Sequence, residues 1–138
     1  MASLSCLTTA SNTNDDELVS DSNIMIIGGK GPAQIITHTE AAFWRIYNDT
    51  NRSSRFRQIL SEASPAGKAY CLFGLYYSDR TQYEQIAISY REINDGFVQQ
   101  GGCVITSNSM SLFLKLLESG VFDPVIKKTN SAQQGRSG

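Results

Sequence analysis

The sequence predicts a mostly α-helical domain of about five short helices, in a compact orthogonal or hairpin-based bundle. Apolar side chains recur three and four positions apart in several segments, which is the period of an amphipathic helix. Ser, Thr or Asp residues stand immediately before these segments, where their oxygens cap a helix. Asn- and Gly-containing stretches follow them, which is typical of helix ends.

Composition supports one folded unit. The chain has 138 residues, of which 41% are hydrophobic and 18% are charged, and these shares are those of globular domains. We expect a disordered acidic arm at residues 1–23, a single helical domain at 24–128 and a disordered tail at 129–138. Residues 1–23 are dominated by Ser, Thr, Asn and Asp and show no apolar period, and residues 129–138 are polar and rich in Gly, Ser and Gln.

The first elements follow from local signals. The apolar run at 24–27 predicts a strand, and the segment 28–32 (GGKGP) predicts a turn after it. Thr37 and Glu40 form a capping box, in which Thr37 accepts from an amide three residues on and Glu40 reaches back. A first helix should run from this box to about Asn48.

Four further helices are predicted. A second helix covers about 54–63, and Ser64 followed by Pro65 begins a third that runs to about Ser78. The third is apolar nearly all round, which is typical of a central helix. Asp79 caps a fourth helix, which the tight turn should pack antiparallel to the third. The fifth spans about 109–118, and Gly120 supplies its left-handed C-terminal cap.

The third and fourth predicted helices carry one local resemblance. The residues at its spacing are Tyr70, Phe73, Gly74, Tyr77, Tyr83, Ile86, Tyr90 and Ile93. Over about a quarter of the chain this pattern resembles one tetratricopeptide helix hairpin. Ile86 and Ile93 stand where that repeat has small residues, and the sequence contains no second copy. The resemblance implies geometry only: Gly74 allows a close helix approach, at the stability cost of a glycine within a helix.

The β-prone run 103–106 could pair with the run 24–27 as a small two-stranded β-ribbon. Cys103 lies in this run and Cys71 lies in the most apolar segment, so both should be buried. Two interpretations stay open. A Cys71–Cys103 disulfide would indicate an oxidising compartment, with a signal peptide removed, and two reduced core thiols would indicate the cytoplasm.

The sequence selects no catalytic residue, no metal ligand set and no cofactor-binding motif. Gly28 to Gly31 with Lys30 lacks the upstream glycine and the Ser/Thr of a phosphate-binding P-loop. His38 is the only histidine and has no partner for a metal pair. From residue 24 onward, basic residues exceed acidic ones only slightly, so nucleic acid is not an expected partner. No apolar run is long enough to predict a membrane span.

Aromatic and arginine residues are dense around the third and fourth helices. Tyr76, Tyr77, Arg80 and Arg91 are the predicted partner-binding residues, because Tyr and Arg are enriched at interface hot spots. The competing interpretation places these tyrosines in the core, with their hydroxyls at its rim.

We therefore expect a non-enzymatic module that binds another protein, for example a small inhibitor of the toxin-neutralising (immunity) type. Two alternatives remain: a small hydrolase with an unrecognised carboxylate or thiol site, and a structural or adaptor subunit. The sequence leaves the oligomeric state open.

Overall fold

A three-stranded sheet packs against helices in the computed structural model, which describes residues 14–30, 35–93, 96–102 and 104–128. The described elements in chain order are α1 (14–20), β1 (Ile24–Lys30), α2 (His38–Tyr47), α3 (Arg52–Leu60), α4 (Pro65–Ser78), α5 (Arg80–Ala87), a 3-10 turn (Ile88–Tyr90), β2 (Gly96–Gly102), β3 (Val104–Ser109), α6 (Met110–Glu118) and α7 (123–128). The prediction of a mostly helical fold is confirmed. Helices α1 and α7 were not predicted.

The sheet has the order β1-β2-β3. β1 runs parallel to β2, with Ile24 opposite Val98, and β2 runs antiparallel to β3, with Gly96 opposite Ser109. The prediction of a small β-ribbon is thus close to the observed small sheet, but the direct pairing of the runs at 24–27 and 103–106 is wrong, because β2 lies between β1 and β3. β2 has the sequence GFVQQGG, whose glycines and glutamines have weak strand propensity. Its strand structure therefore depends on pairing along both edges.

α4 is the central helix. Ser64 caps it by accepting from the amide of Gly67 at 3.1 Å, as its sequence predicts. Every residue from Ala69 to Tyr76 is buried, and α4 contacts α2, α3, α5, α6, β1 and β2. The apolar character all round α4 is explained by these neighbours, because each face of the helix meets another element.

Residues 14–20 form helix α1, inside the range that the sequence analysis assigned to a disordered arm. Val19 is fully buried, and the amide of Ser64 donates to the carbonyl of Ser20 at 2.8 Å. Gly67 makes this approach possible, since a Cβ there would lie 2.5 Å from the carbonyl oxygen of Val19. The segment has too few apolar residues for a periodic signal, so only its tertiary contacts reveal it. Residues 1–13 and 129–138 lie outside the described chain.

Ion pairs fasten α1 to the helices beside it. Asp15 pairs with Arg45 of α2 at 2.7 Å, and Asp16 pairs with Arg55 of α3 at 2.6 Å. The second pair is the better shielded, because the Arg55 side chain is only 11% exposed and also contacts Asp49 at 2.8 Å. Two of the four acidic residues in the predicted arm, Asp15 and Asp16, thus join α1 to the domain.

The predicted capping box at the start of α2 forms only in part. The hydroxyl of Thr37 accepts from the amide of Glu40 at 3.1 Å, as expected. The Glu40 carboxylate does not reach back to Thr37. It accepts instead from the amides of Gly28 at 2.7 Å and Gly29 at 3.0 Å, and from the indole Nε1 of Trp44 at 3.0 Å.

Two successive glycines of β1 shape the site that holds Glu40. Gly28 and Gly29 have φ angles of +89° and +91°, which favour glycine. Successive amides in such a conformation form a concave site for an anion. Glu40, which is 1% exposed, fills this site with a carboxylate from within the same chain. The sequence analysis predicted a turn at 28–32. For residues 28–30 this prediction is wrong, because β1 continues to Lys30. Residues 31–34 lie outside the described chain.

Gly74 lies at a close helix contact, as the tetratricopeptide-like spacing suggested, but the neighbour differs. A Cβ at this position would lie 2.5 Å from ring atoms of Phe56 in α3. Gly74 therefore allows α4 to pack closely against α3. The tetratricopeptide-like resemblance implied a close contact with α5 instead. Elsewhere the predicted caps are confirmed: Asp79 accepts from the amide of Gln82, and Gly120 has a φ of +86°.

Replacing Glu40 with Gln should destabilise the fold by on the order of 2 kcal/mol. The substitution turns one carboxylate oxygen into an amino group that faces a glycine amide, so a buried donor loses its acceptor. Urea unfolding followed by circular dichroism measures the change. Glu62→Gln is the matched control, because Glu62 is exposed, and it should change stability little. Equal urea midpoints for both variants would contradict the structural role of Glu40.

Replacing Gly74 with Ala should lower stability by about 1–3 kcal/mol through overpacking. An exposed helical glycine changed to alanine would instead gain up to about 1 kcal/mol, so the sign of the effect is diagnostic. Gly96→Ala is the control, since its Cβ would meet only the carbonyl oxygen of Asn108 at 3.8 Å. Thermal melts of the two variants and the wild type check this. A higher melting temperature for Gly74→Ala would show that Phe56 does not crowd this position.

Candidate functional site

Tyrosine and arginine side chains gather at the C-terminal end of α4. Tyr76 and Tyr77 occupy the last turn of α4, and Arg80 begins α5 after the single residue Asp79. Tyr83 lies one helical turn further along α5. We call Tyr76, Tyr77, Arg80, Tyr83 and Arg91, with the carboxylates of Glu118 and Asp123, the arginine–tyrosine cluster.

Arg80 lies flat against its neighbour Tyr76. The guanidinium carbon Cζ of Arg80 is 3.5 Å from the ring centroid of Tyr76, within the range of a cation–π contact. The Nε of Arg80 donates to the carbonyl oxygen of Tyr76 at 2.9 Å, which fixes the side chain in place. Tyr76 is 8% exposed, whereas Arg80 is exposed. The face of the ring is thus covered by a cation that solvent can reach.

Arg91 and Tyr83 meet at the carboxylate of Glu118, the last residue of α6. The Tyr83 hydroxyl donates to Oε2 at 2.6 Å, and Nη1 of Arg91 donates to Oε1 at 2.9 Å. Partial burial acts to raise the pKa of Glu118, but the hydrogen bonds from Arg91 and Tyr83 outweigh it and the pKa is lowered. Burial, followed by the bond to Glu118, raises the pKa of Tyr83. The three side chains join α5 and the segment after it to α6.

Tyr77 extends the cluster toward α7. Its hydroxyl donates to Oδ1 of Asp123 at 2.6 Å, and its ring centroid lies 4.9 Å from that of Tyr76. Burial and, after it, the Asp123 carboxylate raise the pKa of Tyr77. The left-handed conformation of Gly120 lets the chain turn so that Asp123 reaches this position. The hydroxyl is therefore engaged at the surface by an exposed carboxylate.

The structure connects all four residues that the sequence analysis named for partner binding. Tyr76 contacts Tyr77 and Arg80 directly, and it reaches Arg91 through Tyr83 and Glu118. Tyr76 differs from the expectation in being buried. Sequence reasoning missed Glu118 and Asp123, because they belong to distant segments of the chain. The position of Glu118 at a helix end before a glycine cap was its only local signal.

A cavity of about 490 Å³ lies between α1, β1 and the start of α2. Its lining is Asn14, Glu17, Leu18, Asp21, Ser22, Asn23, Ile24, Ile26, Thr37, Thr39 and Tyr70. The Tyr70 hydroxyl is already engaged, because it accepts from the amide of Ile26 and donates to its carbonyl. The carboxylates of Glu17 and Asp21 are one helical turn apart and are exposed.

Cys71 and His38 lie in different environments, so they do not form a thiol–imidazole pair. Cys71 is fully buried, and burial raises the pKa of its thiol, which is the state of an unreactive cysteine. His38 is exposed at the first position of α2. Cys103 lies outside the described residues, so the Cys71–Cys103 disulfide stays a prediction. Within the described residues no three His, Cys, Asp or Glu side chains are grouped to hold a metal.

Comparisons with protein families, with curated proteins and with solved structures found no match for this chain. None of the described helices has the length and apolar character needed to span a membrane. Functional inference therefore depends on the chemistry of the arginine–tyrosine cluster itself.

The hydrogen bonds to Glu118 should make stability depend on pH. A carboxyl whose folded pKa lies below its usual value of 4.5 stabilises the fold above that pH. The contribution disappears as the pH falls through the lowered folded pKa. Glu118→Gln should therefore cost about 1 kcal/mol at neutral pH and almost nothing near pH 2. Urea unfolding at both pH values measures the difference.

Glu92→Gln serves as the control for this experiment, since Glu92 is an exposed glutamate with no ion pair within the described chain. Its effect should be small at both pH values. A cost of Glu118→Gln that stays constant between neutral and acidic pH would show that the charge of Glu118 contributes nothing.

Proposed function

We propose that this chain is a non-enzymatic protein-binding module, and that the arginine–tyrosine cluster captures an acidic group on its partner. One observation carries the proposal. Arg80 is an exposed cation held on a buried aromatic ring, and it has no salt bridge within the described residues. A small inhibitor of the toxin-neutralising type is the concrete form of this function.

The fixed position of Arg80 favours binding. Ordering a long side chain at an interface costs about 0.5–1.5 kcal/mol. Arg80 is already ordered by its contacts with Tyr76 in the free protein, so most of this cost does not oppose binding. A guanidinium presents several N–H donors in a planar array, which suits a carboxylate. The bond from Nε to the Tyr76 carbonyl uses one donor and leaves the terminal nitrogens for a partner.

The rest of the cluster would set the direction of an incoming acidic group. Glu118 is already bound by Arg91 and Tyr83, and Asp123 is bound by Tyr77. These pairs leave Arg80 as the cation of the cluster without an acidic contact among the described residues. An incoming carboxylate would therefore be drawn to Arg80, whose charge also acts on Glu118 at longer range, while Glu118 and Asp123 would repel acidic groups that approach them. Such complementarity improves specificity more than raw affinity.

The hydrolase alternative draws less support from the structure. The thiol version of such an enzyme needs an accessible thiolate, and Cys71 is buried with a raised pKa. Both Glu62 and His38 are exposed; Glu62 lies in the turn after α3 and His38 begins α2, and neither lines the 490 Å³ cavity.

Replacing Arg80 with Ala should weaken partner binding by about 2 kcal/mol, which is roughly a thirtyfold rise in Kd. The wild-type chain is immobilised to capture proteins from its native source, and the captured protein is identified by mass spectrometry and titrated against each variant. Arg57→Ala is the matched control, because Arg57 is an exposed arginine of α3 outside the cluster. Thermal melts should be unchanged for Arg57→Ala, and Arg80→Ala should lose only about 1 kcal/mol of stability with its contacts to Tyr76, so both variants stay folded.

Arg80→Lys should recover only part of the lost affinity, because an ammonium keeps the charge but loses the planar stack on Tyr76. Equal affinities for wild type, Arg80→Ala and Arg57→Ala would contradict the proposed surface. A turnover that depends on Glu62 or His38 would instead support the hydrolase alternative.

A further inference from the structure

β3 forms an open edge of the sheet. Ile105, Thr106 and Ser107 are all exposed, and within the described chain their hydrogen bonds are those of the ladder with β2. In an antiparallel pair, alternate residues direct both their N–H and C=O groups away from the neighbouring strand. The middle of β3 therefore presents backbone donors and acceptors to solvent.

The opposite edge of the sheet is closed by buried side chains. The Tyr70 hydroxyl accepts from the amide of Ile26 at 2.9 Å and donates to its carbonyl at 3.0 Å. Further along β1, the Glu40 carboxylate takes the amides of Gly28 and Gly29. Tyr70 and Glu40 thus occupy the outward-facing groups that another strand would need.

Within the part of the chain that the structure describes, β3 carries none of the features that usually prevent strand addition. Natural edge strands are protected by charged side chains, by proline, by bulges or by a covering element. The sequence of β3 is VITSNS, which has no charge and no proline, and its pairing with β2 is regular from Gly96 to Gly101. Ile105 adds an apolar side chain that is 62% exposed.

We infer that β3 is a dimerisation edge, which pairs antiparallel with β3 of a second copy of this chain to form a continuous six-stranded sheet. Two features of β3 favour a second copy as the occupant. The strand is uncharged, so self-pairing about a twofold axis brings no like charges together. Among the described residues of each chain, the sheet also has one open edge and one closed edge, so pairing ends at two copies. Two open edges would have allowed growth into a fibre.

The interface is small. Only alternate residues of the six-residue strand can bond to a second copy, because the backbone groups of the others face β2, and Ile105 contributes apolar area. Interfaces below the standard size are typical of weak association. We expect a monomer–dimer equilibrium that depends on protein concentration. The arginine–tyrosine cluster is built from α4, α5, α6 and the start of α7, so the dimer does not rest on the proposed partner binding.

Sedimentation equilibrium of the full chain over a hundredfold range of concentration tests the inference. The average mass of the wild type should rise from the monomer value toward twice that value. The double variant Ile105→Lys with Ser107→Lys should stay monomeric, because it places lysines on one face of both paired strands. Ile88→Lys is the matched control, since Ile88 is an isoleucine that is 72% exposed outside the sheet, and it should dimerise like the wild type.

Hydrogen exchange of the wild type gives a second readout that does not depend on whether the lysine variant folds. Amides of residues 105–107 that exchange quickly in dilute solution should be protected at high concentration, while amides of α5 should not change. A wild type that remains monomeric throughout overturns the inference. So does a dimer that forms without added protection in β3, or one that a folded lysine variant retains.

Discussion

The hydrogen bonds of the buried Glu40 carboxylate are the contact on which the sheet and its connection to the helices depend. A buried charge is costly unless it is fully bonded, and Glu40 accepts from two glycine amides and an indole. The two amides come from the end of β1, and the carboxylate comes from the first turn of α2, where the helix dipole favours a negative charge. The same bonds fix where β1 ends, how α2 begins and which edge of the sheet is closed.

The two regions of α4 serve the molecule differently. Near its middle, Tyr70 reaches β1 and completes the closed edge that Glu40 begins. At its C-terminal end, Tyr77 reaches the surface and binds Asp123, while the exposed Arg80 covers the buried ring of Tyr76. A helix that is apolar all round can serve both purposes, since its inner turns are fully covered by neighbours and its last turn is covered only in part.

The residues of the candidate site were predictable in part. Tyr76, Tyr77 and Arg80 lie within five positions, so their density was visible in the sequence. Whether each ring is buried depends on helices that are distant in sequence. Glu118 of α6 and Asp123 of α7 bind Tyr83, Arg91 and Tyr77 only after these helices have packed against α5 and α4.

Several helices were predictable from local signals alone. Ser64 with Pro65 begins α4, Asp79 begins α5, and Gly120 follows α6, because a cap needs only residues within one turn. Other features depend on contacts between distant segments. β2 exists through pairing on both sides, α1 is held by Arg45 and Arg55, and Glu40 leaves its local cap for the glycine amides of β1. In each case the deciding partner is distant in sequence, and a local pattern carries no information about it.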